Sequence, residues 1–274
     1  MIEELIQKYG KNDQRTDEWH AKRASILTAS EIYKVGKNGT PASRYEVLMS
    51  KLVPRIRGEI GTGPRALIWG TRFEKIANDI YFENIEATNI VETTCIPHPN
   101  PEYKLGASPD GIVIPSDPEI PPYLVEFKCP ISRDFNQDTP IPPAYYDQMQ
   151  LQMACTGITR CEYVEFKFNE LTYSEWLRST AEYKSIFCVN DDGTVNYKCF
   201  YQTEYDDWLN QTLDGERVYW ELEKFQMKQV MYDPNWFAEN LPYWKAVWEE
   251  IEVHKQNNTF PENPSKKSTL TLEF

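Results

Sequence analysis

The sequence predicts an α/β (α+β) fold, a central mixed β-sheet flanked by helices. Three observations predict it. Residues 105–114 and 123–128 are apolar or alternating stretches joined by a proline-rich run, and residues 160–169 alternate strictly, as strands do. Residues 65–86 and the segment from Tyr145 onward carry helical patterns between and around those strands. Composition is that of a globular chain, 41% hydrophobic and 26% charged over 274 residues.

Length and pattern predict one domain over residues 1–255 and a flexible polar tail over residues 256–274. No apolar run approaches the roughly 20 residues of a membrane span. The start Met-Ile-Glu-Glu-Leu lacks a basic signal-peptide region, and six cysteines show no Cys-x-x-Cys. Both features predict an intracellular, non-secreted protein of the cytoplasm or nucleus, with reduced thiols. Three scattered histidines (20, 98 and 254) argue against zinc. The net charge of −13 argues against a polyanionic partner. Its distribution argues the other way, because residues 11–75 hold 13 basic against 7 acidic side chains. Such a segment suits a local phosphate-binding surface.

Taken in order, residues 1–9 predict a short helix with Ile2, Leu5 and Ile6 apolar. Trp19 and Arg23 are four apart and share a helical face. Thr28 or Ser30 is expected to cap a helix from Glu31 onward. An arginine beside a hydroxyl at a helix start is an anion site, and a capped helix with a surface arginine is the plainer alternative. Residues 42–56 predict an amphipathic helix, followed by a basic, glycine-bearing loop from Arg55 to Gly63 that can fold over a ligand or merely connect. On the 65–86 helix, Ile68, Trp69, Phe73, Ile76, Ala77 and Ile80 form an apolar face with Glu74 at its edge, aimed at a metal or at water.

Strands are expected at 89–97 and 104–107, and then comes the central pair. Within 123–128, Leu124, Glu126 and Lys128 point to one face and Val125 and Phe127 to the other. Residues 115–122, rich in proline, must turn the chain. An antiparallel partner then brings Asp110 near Glu126 and Lys128. Two carboxylates can hold a hard divalent cation through oxygen, and a lysine beside them places a charge at a nucleophilic water or a scissile phosphate. A turn aspartate and a solvated Glu-x-Lys face is the bland alternative.

Beyond it, Gln148 and Gln152 share a helical face with Tyr145; turned inward they need hydrogen bonds, and turned outward they are simply solvated. Segments near 171–177, 186–190 and 195–202 predict further strands. Residues 205–231 and 236–253 predict two amphipathic helices rich in Trp and Tyr, with their aromatic stripes in the core or at a subunit interface.

Several motifs stand in one order: Trp19…Arg23…Thr28-Ala29-Ser30-Glu31, Ala66-Leu67-Ile68-Trp69-Gly70…Glu74, Ser108-Pro109-Asp110-Gly111, Glu126-Phe127-Lys128-Cys129-Pro130, Arg133-Asp134-Phe135 and Ala144-Tyr145…Gln148…Gln150. That series, over residues 13–170, resembles the bacteriophage lambda exonuclease family of viral recombination nucleases, within the PD-(D/E)xK superfamily with its restriction-endonuclease-like core. The resemblance implies a metal-dependent 5′→3′ exonuclease that digests one strand of linear double-stranded DNA from a 5′-phosphorylated end, leaving 3′ single strands for recombination and repair by annealing. It implies Mg²⁺, with Mn²⁺ as a substitute, held by Glu74, Asp110, Glu126 and the backbone carbonyl of Phe127. Lys128 would orient or activate the attacking water, and Gln148 would help to position that lysine or the terminal phosphate. Arg23, Ser30, Ser108 and, across a one-residue gap, Arg133 match a pocket for the 5′-phosphate. Leu67 matches an apolar wedge between terminal base pairs, preceded by Arg65. A single-strand annealing protein as partner and a ring-shaped homotrimer are further implications. The acidic, Trp-rich C-terminal half is longer than in compact members of that family.

Three other readings compete. One is a structure-specific or restriction-type endonuclease on the same metal core. Another is an iron–sulfur helicase-nuclease relative, which lacks its cysteines here. The third is a non-catalytic DNA-end-binding protein on the same fold.

Overall fold

The structure, a computed structural model, describes residues 2–11, 16–53, 63–198 and 215–264. In chain order the helices are α1 (Ile2–Tyr9), α2 (Asp17–Ala24), α3 (Ile32–Val35), α4 (Pro41–Leu52), α5 (Arg65–Glu83), α6 (Pro143–Thr156), α7 (Tyr173–Arg178) and α8 (Pro234–Asn257). The strands are β1 (Leu27–Thr28), β2 (Ala87–Val91), β3 (Ile96–Pro97), β4 (Leu105–Ala107), β5 (Gly111–Pro115), β6 (Tyr123–Lys128), β7 (Arg160–Leu171), β8 (Lys184–Val189), β9 (Val195–Tyr197) and β10 (Glu216–Met231). The basic loop from Arg55 and the tail from 265 onward lie outside the described residues.

The central pair occupies the second and third positions of a seven-stranded sheet of order β2-β5-β6-β7-β10-β8-β9. β5 and β6 are antiparallel, with Gly111 opposite Val125, while β6 and β7 are parallel, which makes the sheet mixed. A small sheet of order β1-β4-β3 stands beside it.

Alternation along β6 sends its side chains into two different cores. Val125 and Phe127 pack with Trp69, Phe73, Ile76 and Ile80 of α5. Leu124 packs on the other face with Met149 and Met153 of α6. α8 closes a third core, in which Trp244, Val247 and Ile251 cover α3, α4 and the small sheet. No described helix is long and apolar enough to cross a membrane. Cysteines 95, 129, 155, 161 and 188 are free thiols.

Phe73 is the hub of the first core. It is fully buried, and its ring centroid is 4.5 Å from both Trp69 and Phe168 and 5.5 Å from Phe187. Phe73→Ala should cost about 3–5 kcal/mol in urea unfolding, because removing a ring from a packed site leaves a cavity. A loss under about 1 kcal/mol would mean that the aromatic cluster closes over the gap.

Three expectations are corrected. Of the helix expected over 205–231, only residues 215–231 are among the described residues, and there Glu216–Met231 is a long strand paired with both β7 and β8. Residues 173–178 are helical rather than extended, because Thr172 and Glu175 form a reciprocal capping box. Neither Thr28 nor Ser30 caps α3. Its N-cap is Glu31, which makes no side-chain cap bond and instead turns its carboxylate back to Thr28 N at 2.9 Å.

Candidate active site

The turn from β4 into β5 delivers Asp110. Gly111 follows because β2 passes close by; a Cβ there would lie 2.4 Å from Ile90 Cγ2. The Asp110 Oδ2 accepts the Phe127 N–H at 2.7 Å, which fixes the aspartate beside β6. Glu126, only 1% exposed, lies on the α6 side of the sheet. Lys128 donates to its Oε1. Gln148 Nε2 donates to the same oxygen at 2.6 Å, and Gln152 Nε2 to Oε2 at 2.6 Å. Lys128 also donates to Gln148 Oε1 at 3.3 Å and lies 4.7 Å over the Tyr145 ring. The inward alternative for the glutamine face is the one the structure adopts.

Glu74 projects from α5, half-buried, and its charge reaches Asp110. Burial, and then the charges of Glu126 and Glu74, push the Asp110 carboxyl well above the usual carboxylate range, against the pull of Lys128. Burial alone would lower Lys128, but the charges of Glu126 and Asp110 outweigh it and hold the ammonium above its ordinary range. Burial, with the charges of Glu74 and Asp110, also pushes the Cys129 thiol up.

Among the described residues, no three His, Cys, Asp or Glu side chains are arranged as a ready-made metal cage. Mg²⁺ does not require one, since it keeps several waters and is held through one or two carboxylates plus substrate phosphates. Two hard carboxylates, with a third near enough to raise Asp110, fit that mode.

A second cluster stands two residues upstream. β1 runs parallel to β4, with Thr28 opposite Gly106 and the Ala29 N–H donating to the Gly106 carbonyl at 3.0 Å, so Ser30 and Ser108 both follow the same end of this strand pair. Arg23 Nη2 donates to Ser30 Oγ at 3.1 Å and Thr28 Oγ1 at 3.3 Å, and its guanidinium stacks 4.3 Å over Trp19. Ser108 Oγ is buried beside the Cys95 thiol, to which it is a hydrogen-bond partner. Lys22 donates to the Cys95 carbonyl, and the charges of Lys22, Arg23 and Lys51 all reach the Cys95 thiol next to Ser108. Lys51, whose side chain is 3% exposed, bonds Glu31 Oε2 at 2.8 Å and holds it below the usual carboxylate range despite burial. Arg23, Ser30 and Ser108 therefore share one basic, hydroxyl-lined corner.

Arg133 has its own set of contacts and donates to Tyr163 Oη at 3.3 Å. Its guanidinium lies 5.9 Å from the Tyr145 ring, on the Lys128 side, and pairs with Glu165, which is also bonded by Gln226 at 2.9 Å. Arg65 and Leu67 lie at the exposed start of α5, and Leu67 is 64% exposed. Sequence reasoning placed Gln152 on the face of Gln148 without giving it a role, and left out Glu165, Gln226, Lys22 and Lys51. Of these only Gln152 carried a signal, its position one turn from Gln148.

The domain described as the YqaJ-like viral recombinase domain matches residues 18–159. A curated relative, uncharacterized protein R354 of Acanthamoeba polyphaga mimivirus, is 21% identical over 312 aligned positions, covering 93% of this chain and 55% of that protein. The chain thus spans about half the length of that relative. The crystal structure of an alkaline exonuclease (LHK-Exo) from Laribacter hongkongensis superposes with a TM-score of 0.54 at 23% identity, covering 89% of this chain and 96% of the other. Its complex with dAMP superposes with a TM-score of 0.53 at 22% identity, over the same shares. The restriction-endonuclease-like fold expected from the sequence is the fold observed.

Proposed function

The chain belongs to the YqaJ-like viral recombinase domain family, and from that premise we propose that it is a metal-dependent exodeoxyribonuclease. It digests one strand of linear duplex DNA 5′→3′ from a phosphorylated end, releasing mononucleotides and leaving 3′ single strands for annealing. The observation that carries this reading is the junction of two clusters across three residues. Ser108 belongs to the basic corner and Asp110 to the carboxylate–lysine cluster. A strand end held by the first presents its first phosphodiester to the second. The dAMP bound in the LHK-Exo structure agrees with a deoxymononucleotide product.

In this reading Asp110 and Glu126, with Glu74 and the Phe127 carbonyl, would hold Mg²⁺ or Mn²⁺. The ion supplies Lewis-acid charge against the negative charge that develops on the phosphoryl oxygens. Lys128 adds a fixed positive charge at the same place. Gln148 orients both Glu126 and Lys128. Arg23, Ser30 and Ser108 grip the terminal phosphate through a charge and two hydroxyls. Arg133, beside Tyr145, contacts the strand near the cut, while Arg65 and Leu67 meet the duplex where its last pair opens. A homotrimer and an annealing partner belong to the same proposal.

Arg23→Ala tests the end-specific part. Charge-assisted contacts contribute about 1.5–3 kcal/mol, so preference for 5′-phosphate over 5′-hydroxyl ends should fall roughly ten- to a hundred-fold, with processivity, while the single-turnover rate changes less. The assay compares both linear substrates and a closed circle, with and without Mg²⁺. A wild-type enzyme that ignores the 5′ group, or that nicks closed circles equally well, would be an endonuclease on this core.

A further inference from the structure

We propose that Gln152 is a positioning residue for the metal-binding carboxylate. By holding Glu126 Oε2 in the core, it leaves Oε1 as the oxygen the site can use. The inference rests on the metal-nuclease reading above and adds a residue to it.

Gln152 is fully buried on α6, one turn beyond Gln148. Its Nε2 donates to Glu126 Oε2 at 2.6 Å, while its own Oε1 is buried with no partner. A side chain kept there for packing alone would better be apolar, because the orphaned carbonyl oxygen loses its water and gains nothing. What the glutamine does accomplish is to hold one carboxylate oxygen. The other oxygen, Oε1, faces Lys128 and Gln148, in the corner where Asp110 reaches Phe127 N.

Two holds on opposite oxygens matter because the terminal torsion of a glutamate is broad. Contacts from Lys128 and Gln148 on one oxygen leave the carboxylate plane free to rock. A donor on the opposite oxygen, fixed to a buried helix, sets that plane before any cation arrives. Partners behind a ligating group act in this way, and their loss costs about ten- to a hundred-fold in metal affinity.

The test uses the purified full chain with Mn²⁺ alone as probe, free Mn²⁺ being counted by electron paramagnetic resonance without DNA. Gln152→Met keeps the length and removes the donor. Gln152→Asn keeps the amide but is one methylene short of Oε2. Both should bind Mn²⁺ about ten- to a hundred-fold more weakly than wild type, and the Met variant should melt no lower than wild type. The Mg²⁺ concentration for half-maximal cleavage should rise by a similar factor, with a smaller change in the rate at saturating Mg²⁺. Wild-type Mn²⁺ affinity in either folded variant would overturn the proposal and leave the nuclease reading standing. A wild-type chain that binds no Mn²⁺ would overturn both. Should the Met variant fail to fold, the Asn variant alone decides.

Discussion

Asp110→Asn is expected to reduce cleavage of linear duplex DNA about a thousand-fold or more, which corresponds to ~4 kcal/mol of barrier, while the purified variant stays folded. The substitution is isosteric, and the amide oxygen can still accept the Phe127 N–H that now reaches Asp110 Oδ2. What is lost is one negative charge between Glu126 and Glu74. Those neighbours, after burial, are what hold the Asp110 carboxyl well above its usual range. A carboxyl raised on folding binds more protons in the folded chain, so its contribution to stability falls as pH rises from the unfolded toward the folded pKa. With a chelator present, Asp110→Asn should therefore melt higher than wild type at neutral pH, and the gap should close in acid. Added Mg²⁺ should raise the wild-type melting temperature and leave the variant's unchanged. Glu126→Gln should lose activity equally but is the harsher change. An amide offers Gln148 and Gln152 a single acceptor oxygen in place of the two they now use. Normal turnover by purified Asp110→Asn would remove the carboxylate pair from the chemistry.

The centre of this molecule is legible because its pattern is local. Alternation along 123–128 sorts Glu126 and Lys128 from Val125 and Phe127, and one antiparallel neighbour suffices to bring Asp110 across. The i, i+4 spacing of Gln148 and Gln152 likewise marks one helix face, and burial then forces both toward Glu126. Legibility ends where the pattern is interrupted. Along β10 a bulge between Leu222 and Lys224 shifts the phase, so Val218, Trp220, Leu222 and Phe225 meet the same core with uneven spacing. Together with its Glu, Lys, Gln and Met content, that spacing imitates a helix. Pairing with β7 and β8 overrides the propensity. The pattern also could not reveal the Arg133–Glu165–Gln226 cluster. Its members come from a loop and two strands, and only the register that sets Lys128 beside Glu165, and Glu165 beside Gln226, assembles them.

Lys128→Ala should remove turnover by about two to four orders of magnitude with little loss of duplex-end binding, and Lys128→Arg should not restore it. The ammonium lies between Glu126 Oε1 and Gln148 Oε1, with the Tyr145 ring 4.7 Å away, and its side chain is 19% exposed. Burial would favour the neutral amine, yet Glu126 and Asp110 outweigh it, so the group stays charged through the neutral range. A charge held this way is already neutralised in the resting site. It gains most when negative charge builds on the phosphate being cut, and that difference lowers the barrier rather than tightening the ground state. Arginine keeps the charge but spreads it over a planar fork larger than the space between two carboxyl-type oxygens and a ring. Glu126 retains its two glutamine donors in the alanine variant, so the carboxylate is not stranded and the fold should survive. Single-turnover cleavage, set beside end binding measured in chelator, separates the two roles. If Lys128→Ala lost binding in proportion to rate, the lysine would be a contact to the bound strand and not to the transition state.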